Sequence, residues 1–205
     1  METIIFPADR EEAIPRALEL LKRGGLVAFP TDTVYGVGAL AFDAKAVESI
    51  YAAKDRPVEK AIPILIGGPE DLDKVTAELM PMAAKLSARF WPGPLTLVVP
   101  KHPNLPEVVS DTPTVGVRVP DHPVARTLLR AAGPMAVTSA NISGEASPRT
   151  AEEVSRQLNG RIPLILDGGE TPGGVPSTVV NCLGPEPLIL REGPIMMKDI
   201  QFILI

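Results

Sequence analysis

Apolar residues follow two rhythms along this chain, a helical one of about 3.6 residues and a strand-like one of two, and the two alternate from end to end. Ala13, Ala17, Leu18, Leu20 and Leu21 share a helical face. They predict a helix over 9–23, opened by Asp9 with Glu12 as its capping-box partner and closed by Gly24-Gly25. Pro15 argues for a later start. Leu26–Phe29 predicts a short buried strand ended by Pro30. Asp43 caps a second helix, with Val47, Ile50 and Tyr51 on its inner face and an end near Lys54–Pro57. A strand follows at Ile62–Ile66, then one or two helices over 70–90 with a break before Pro81.

Further strands are predicted over Leu95–Val99, Val115–Val119, Met135–Thr138, Leu164–Leu166, Thr178–Asn181 and Leu188–Leu190. Asp121 opens another helix, with Pro123 in its first turn. The capping box Thr150-Ala-Glu-Glu153 starts one that reaches about Leu158. The apolar end, Ile200–Ile205, reads as an added edge strand. Interspersed helices and strands predict an α/β or α+β domain around a mixed sheet, with the strand order left open.

Composition narrows the class. A chain of 205 residues, 45% hydrophobic and 22% charged, can bury its own core without disulfides or metals. Its 23 prolines favour stiff loops and strand ends over long helices. A net charge of −5 argues against a protein that coats nucleic acid by charge alone, though a local RNA-binding patch stays open. One cysteine, Cys182, and two histidines make a Cys/His zinc site an unpromising idea. No apolar run approaches the ~20 residues of a membrane span. The N-terminus has no basic, apolar leader, so the expected location is the cytoplasm.

Five segments carry candidate chemistry. Pro30-Thr-Asp-Thr-Val-Tyr-Gly36 gathers two hydroxyls, a carboxylate and a phenol beyond the first predicted strand. By composition alone an ordinary turn is the slightly better reading. Lys54-Asp-Arg-Pro-Val-Glu-Lys60 is either a solvated charge run or a phosphate clamp. Arg118, inside the strand Val-Arg-Val, faces solvent or must find a partner such as a carboxylate ligand. Thr138-Ser-Ala-Asn-Ile-Ser-Gly144 offers short donors and backbone amides able to wrap an oxyanion, with a capped turn as the blander choice. It is neither a Gly-x-Ser-x-Gly elbow nor a Walker loop, and Ser139 has no evident histidine partner. Pro176-Ser-Thr-Val-Val180 and Leu190-Arg-Glu-Gly193 each put a polar group at the end of an apolar strand.

Taken in this order, the six pieces Phe-Pro-Thr-Asp-Thr-Val-Tyr-Gly, Lys54/Arg56/Lys60, Val-Gly-Val-Arg-Val-Pro, Ser-Ala-Asn-Ile-Ser-Gly, Pro-Ser-Thr-Val-Val and Leu-Arg-Glu-Gly resemble the YrdC-like family of L-threonylcarbamoyladenylate synthases. The resemblance runs from about Gly24 to Gly193 and leaves 194–205 as an apolar tail. It implies a single YrdC-like α/β domain over 1–205, a twisted mixed sheet with flanking helices and a deep basic cavity. It implies an enzyme that makes threonylcarbamoyl-AMP and pyrophosphate from L-threonine, bicarbonate and ATP. The product would feed the threonylcarbamoyladenosine modification of tRNA through a separate transferase complex.

Residue by residue, the resemblance assigns Thr33, Arg118, Thr138 and Ser177 to threonine, and Arg56, Lys60, Thr114, Ala140 (through its backbone) and Arg191 to ATP. Lys54, Ser139 and Asn141 lie in the same motifs without a fixed role, and no residue is assigned as nucleophile or base. Two departures stand out. Longer members add a C-terminal domain that 205 residues leave no room for, and Leu65 stands where some relatives have a histidine. The chemistry suits arginines, lysines and hydroxyls, because adenylation chiefly needs two anions aligned and phosphate charge stabilised. Magnesium would arrive with ATP, held mainly by the phosphates, with no protein-bound zinc. The competing reading is an RNA- or nucleotide-binding module without adenylation. A related carbamoyl-transferring maturation factor is less apt, because its usual zinc-binding and acylphosphatase segments are absent from this sequence.

Overall fold

The computed structural model describes residues 2–204. Ten strands form one mixed sheet: β1 (Ile4–Pro7), β2 (Val27–Phe29), β3 (Gly36–Leu40), β4 (Ile64–Leu65), β5 (Leu95–Pro100), β6 (Thr114–Arg118), β7 (Met135–Ser139), β8 (Leu164–Asp167), β9 (Thr178–Asn181) and β10 (Leu188–Arg191). Their order across the sheet is β1-β8-β2-β3-β7-β4-β6-β5-β9-β10. The pairs β1–β8, β8–β2, β4–β6 and β5–β9 are parallel, and the other neighbours are antiparallel.

Seven helices cover the sheet: α1 (Ala13–Lys22), α2 (Ala44–Lys54), α3 (Leu72–Val75), α4 (Pro81–Phe90), α5 (Pro123–Ala132), α6 (Ala151–Leu158) and α7 (Met197–Leu204). They divide unevenly between its faces. Val47, Ile50 and Tyr51 of α2, Ala83 and Leu86 of α4, Val154 and Leu158 of α6 and Ile200 of α7 share one core. That core also takes Ile64, Leu95, Leu97, Val115, Val117 and Val180 from the strands. Ala13, Ala17 and Leu21 of α1 and Leu128 and Leu129 of α5 form a second core with Val27, Phe29, Met135, Val137, Leu164 and Leu166. The second core covers the β1-to-β7 half of the other face. Leu65 of β4 joins this second core as well. Two-residue alternation sends successive side chains to opposite faces, so past β4 the strands β6, β5 and β9 turn their other set of residues away from the first core and beyond the reach of the second.

Most predicted elements are present, with instructive differences. The first helix begins at Ala13, and Asp9 does not cap it; Glu12 stands at the cap without a side-chain bond. Pro15 is its third residue, where the N–H would have no intrahelical partner anyway. Pro123 likewise begins α5, with His122 rather than Asp121 at the cap. The Asp43 carboxylate does accept from Ala46 N, at 3.1 Å. The Thr150 hydroxyl accepts from Glu153 N at 3.3 Å, while the Glu153 carboxylate reaches Arg149 N, one residue before the expected position.

The tail is a correction. Residues 197–204 are helix, not an edge strand, because Ile200, Ile203 and Leu204 fall on the side that packs against the first core while Phe202 points outward. Ile205 lies outside the described residues. Strands β1 and β3 were not expected. In β3 the glycines hide the pattern, and they have a reason: a Cβ on Gly36 would come within 2.7 Å of Val137 on the neighbouring strand.

Candidate active site

The part of the sheet that the second core leaves uncovered, together with the adjoining ends of β7 and β4, is the floor of a cavity of about 300 Å³. Its lining repeats every second residue: Thr96 and Val98 of β5, Gly116 and Arg118 of β6, Val137 and Ser139 of β7, Ser177 and Val179 at β9, and Pro63 and Leu65 at β4. The intervening residues, such as Val115, Val117, Leu95 and Leu97, are buried in the first core. Strand alternation thus answers the question Arg118 posed: it faces neither bulk solvent nor the helices, but this cavity. The β2–β3 loop supplies one wall with Thr31, Thr33, Val34 and Tyr35, and Arg56 and Arg191 complete the rim.

The loop is stiffened from within. Thr31 Oγ1 donates to Val34 O at 2.7 Å, and accepts from Thr33 N at 3.2 Å and Val34 N at 3.3 Å. The Tyr35 hydroxyl donates to Gly169 O at 2.8 Å and accepts from Gly168 N at 3.2 Å, pinning the loop to the turn after β8. Burial pushes the Tyr35 phenol up to about 12, so it serves as a neutral tether.

Three guanidinium groups meet this cavity. Arg118 is buried; its Nε donates to Gly93 O at 2.9 Å, its Nη1 donates to Thr33 Oγ1 at 3.1 Å, and its Nη2 pairs with the Asp32 carboxylate. Arg191 donates from Nε and Nη2 to Ser177 O at 3.0 and 2.7 Å, and from Nη2 to Ser177 Oγ at 3.0 Å. Ser177 Oγ in turn shares a hydrogen bond with Thr96 Oγ1 at 2.8 Å. Arg56 donates to Lys60 O and Ala61 O, which folds its own loop toward the cavity rim. Burial lowers the pKa of Arg191 first, and then repulsion from Arg118 and Arg56 lowers it further. Like charges held this close, with Asp32 the only carboxylate paired to them among the described residues, form a site that gains by accepting an anion.

Seven of the twelve residues singled out from the sequence line the cavity: Thr33, Arg56, Arg118, Thr138, Ser139, Ser177 and Arg191. Five do not. Lys60 is exposed on the loop beyond Arg56. Thr114, at the far end of β6, bonds Thr112 Oγ1 at 3.0 Å. The Ala140 amide already donates to Tyr35 O at 2.8 Å, leaving only its carbonyl for a ligand. Asn141 donates through its Nδ2 to Ile142 O and Glu145 O, behind the cavity wall. Lys54 is buried and donates to Ser139 O and Asn141 O, so it braces the wall from behind.

Residues 19–193 match the Sua5/YciO/YrdC family model, described as "Telomere recombination". The chain belongs to this family. It is 44% identical over 194 residues to the threonylcarbamoyl-AMP synthase of Bacillus subtilis (strain 168), covering 93% of this chain and 56% of that protein. The crystal structure of Pyrococcus abyssi Sua5 complexed with L-threonine superposes with a TM-score of 0.95 at 42% identity, over 98% of this chain and 61% of that one. The crystal structure of Escherichia coli YciO gives a TM-score of 0.86 at 27% identity, with 97% and 99% coverage. The chain thus spans a little over half the length of the Bacillus and Pyrococcus relatives.

Within this family fold, Thr96 and Val98 line the cavity from outside the motifs, and Gly116 and Val179 line it from within them without an assigned role. All four sit in strands whose apolar character dominates the pattern. Parity with Arg118 would have found them once the pairings Val98 with Gly116 and Thr96 with Val179 were known. Gly116 is small for cause, since a Cβ there would stand 3.0 Å from Thr96 Cγ2. Among the described residues no group of three or more His, Cys, Asp or Glu side chains is placed to hold a metal ion.

Proposed function

We propose that this chain is an L-threonylcarbamoyladenylate synthase. The observation that carries the reading is the convergence of Arg56, Arg118 and Arg191 on one hydroxyl-lined cavity. Family membership and relatives named threonylcarbamoyl-AMP synthase support it. In the proposed reaction, threonine and bicarbonate condense to a carbamate with loss of water. A carbamate oxygen then attacks the α-phosphorus of ATP, the bond to the bridging oxygen breaks, and pyrophosphate leaves.

The chain's own task is to bring two anions together and hold them, which charge-assisted hydrogen bonds from preorganised guanidiniums do well. Arg118 and Thr33 take the amino acid, together with Thr138 and Ser177. Arg56 and Arg191 take the nucleotide phosphates, with Lys60, Thr114 and Ala140 as outer contacts that a bound nucleotide would have to draw in. Arg191 feels both other arginines, which suits a place between the two substrates. No protein nucleophile or base is needed, and neither histidine lines the cavity. Magnesium belongs to the nucleotide substrate, held mainly by its phosphates. The product would pass to a transferase complex that modifies tRNA, in the cytoplasm.

Mass spectrometry of the product formed from ATP, threonine and bicarbonate tests the reading. A threonylcarbamoyl-AMP mass, with pyrophosphate release that needs both threonine and bicarbonate, is the expected result. Nucleotide binding without pyrophosphate release would instead favour a binding module.

A further inference from the structure

Asp32 stands behind the cavity wall rather than in it, and nothing in the reaction uses it directly. Its Oδ1 accepts from Asp121 N at 3.0 Å and pairs with Arg118 Nη2. Its Oδ2 is buried and has no hydrogen-bond partner among the described residues. An unpartnered buried carboxylate oxygen is unfavourable for folding, so stability alone is a poor reason for this arrangement. Arg118, for its part, is fixed on three sides by Gly93 O, Thr33 Oγ1 and Asp32. A guanidinium has five N–H groups. Three are committed, and two remain for a ligand in the cavity.

We infer that Asp32 is a positioning residue, whose carboxylate aims the two free N–H groups of Arg118 at the carboxylate of the amino-acid substrate. The inference rests on the synthase reading above. A flexible arginine would have to lose rotamer freedom on binding, and Asp32 removes that freedom beforehand. The carboxylate also offsets the effect of burial on Arg118, whose pKa burial lowers and Asp32 raises. Fixing the fork from behind separates the amino-acid end of the site from the phosphate end, because neither Arg56 nor Arg191 touches Asp32.

The test is steady-state pyrophosphate release by the wild type, Asp32→Asn and Asp32→Ala, varying threonine and ATP separately. Asp32→Ala is expected to raise the threonine KM about tenfold and to leave the ATP KM within about twofold. Asp32→Asn keeps an acceptor oxygen for Arg118 and Asp121, so its threonine KM should rise less; being isosteric, it carries the test if Asp32→Ala fails to fold. Calorimetric titration with threonine adds a check on mechanism. Asp32→Ala combined with Arg118→Ala should bind no more weakly than Arg118→Ala alone. A wild type that makes the adenylate, with threonine and ATP KM values moving together in the Asp32 variants, overturns the inference alone. Further loss of threonine affinity in the double variant overturns it too. A wild type that makes no adenylate overturns the reading of function and this inference with it.

Discussion

Lys54 donates its side-chain amine to the main-chain carbonyl of Asn141, and the Lys54 carbonyl accepts from the amide of Ser143 at 2.8 Å. A second donation to Ser139 O makes the last residue of α2 a brace for the turn after β7, which carries Ser139 into the cavity. The sequence left open whether Lys54 is a phosphate ligand. The contacts assign its side chain to the protein instead.

Lys54→Ala should therefore act on stability first and on ATP affinity second. It strands two carbonyl oxygens away from water, a loss of ~2–4 kcal/mol by the usual cost of unmade buried hydrogen bonds. Urea denaturation of the variant and the wild type measures it. An unchanged midpoint with a large drop in ATP affinity would return Lys54 to the phosphates.

The same burial makes stability depend on pH. Desolvation, and then Arg56, lower the Lys54 pKa to about 7, against an ordinary lysine value of about 10.4 in the unfolded chain. Between those values the unfolded state holds a proton that the folded state lacks, so the Lys54 contribution to stability rises as pH rises through this window. The neutral amine still has two N–H groups for its two carbonyl partners. Tyr35, raised from 10.0 to about 12, works the other way above pH 10, where the folded state keeps a proton the unfolded state has lost. Denaturation curves at pH 7 and pH 9 should show a gain for the wild type that Lys54→Met lacks.

The three arginines should separate by ligand. Arg118→Ala should weaken threonine binding, and Arg56→Ala and Arg191→Ala should weaken ATP binding, each by ~1.5–3 kcal/mol for a lost charge-assisted contact. Lys60→Ala should cost ATP less than Arg56→Ala, because Lys60 lies outside the cavity and is exposed. ATP affinity of the Arg56 variant should also fall less steeply with salt. Calorimetry of each folded variant with each ligand alone checks this. Loss of ATP binding with intact threonine binding in Arg118→Ala would reverse the proposed orientation.

Cys182 should be chemically quiet. It is buried, its thiol lies 3.8 Å from Val180 O, and burial pushes its pKa up to about 12. Thiolate is the reactive form, so a native-state thiol assay at pH 8 should find almost none. Cys182→Ser should keep its activity with some loss of stability; a folded but inactive variant would contradict this.

The chain's own order of residues determined the element types wherever a period was long or a cap was chemical. Asp43 and Thr150 cap helices because a side-chain oxygen three residues before an amide meets it in any first turn. The alternation Val115-Gly-Val-Arg-Val119 likewise fixed that Arg118 and Gly116 share a face opposite the valines. Local sequence could not say what that face meets. Only the strand order, with α1 and α5 covering the face from β1 to β4 and leaving β6, β5 and β9 uncovered, made it a cavity floor. The tail shows the same limit: its run of apolar residues fits either period, and packing on the first core made it a helix. Lys54 and Asp32 were visible as charges, but their partners lie 85 or more residues away in sequence. A buried charge takes its role from the groups that desolvate and pair it, and those groups are assembled by tertiary packing.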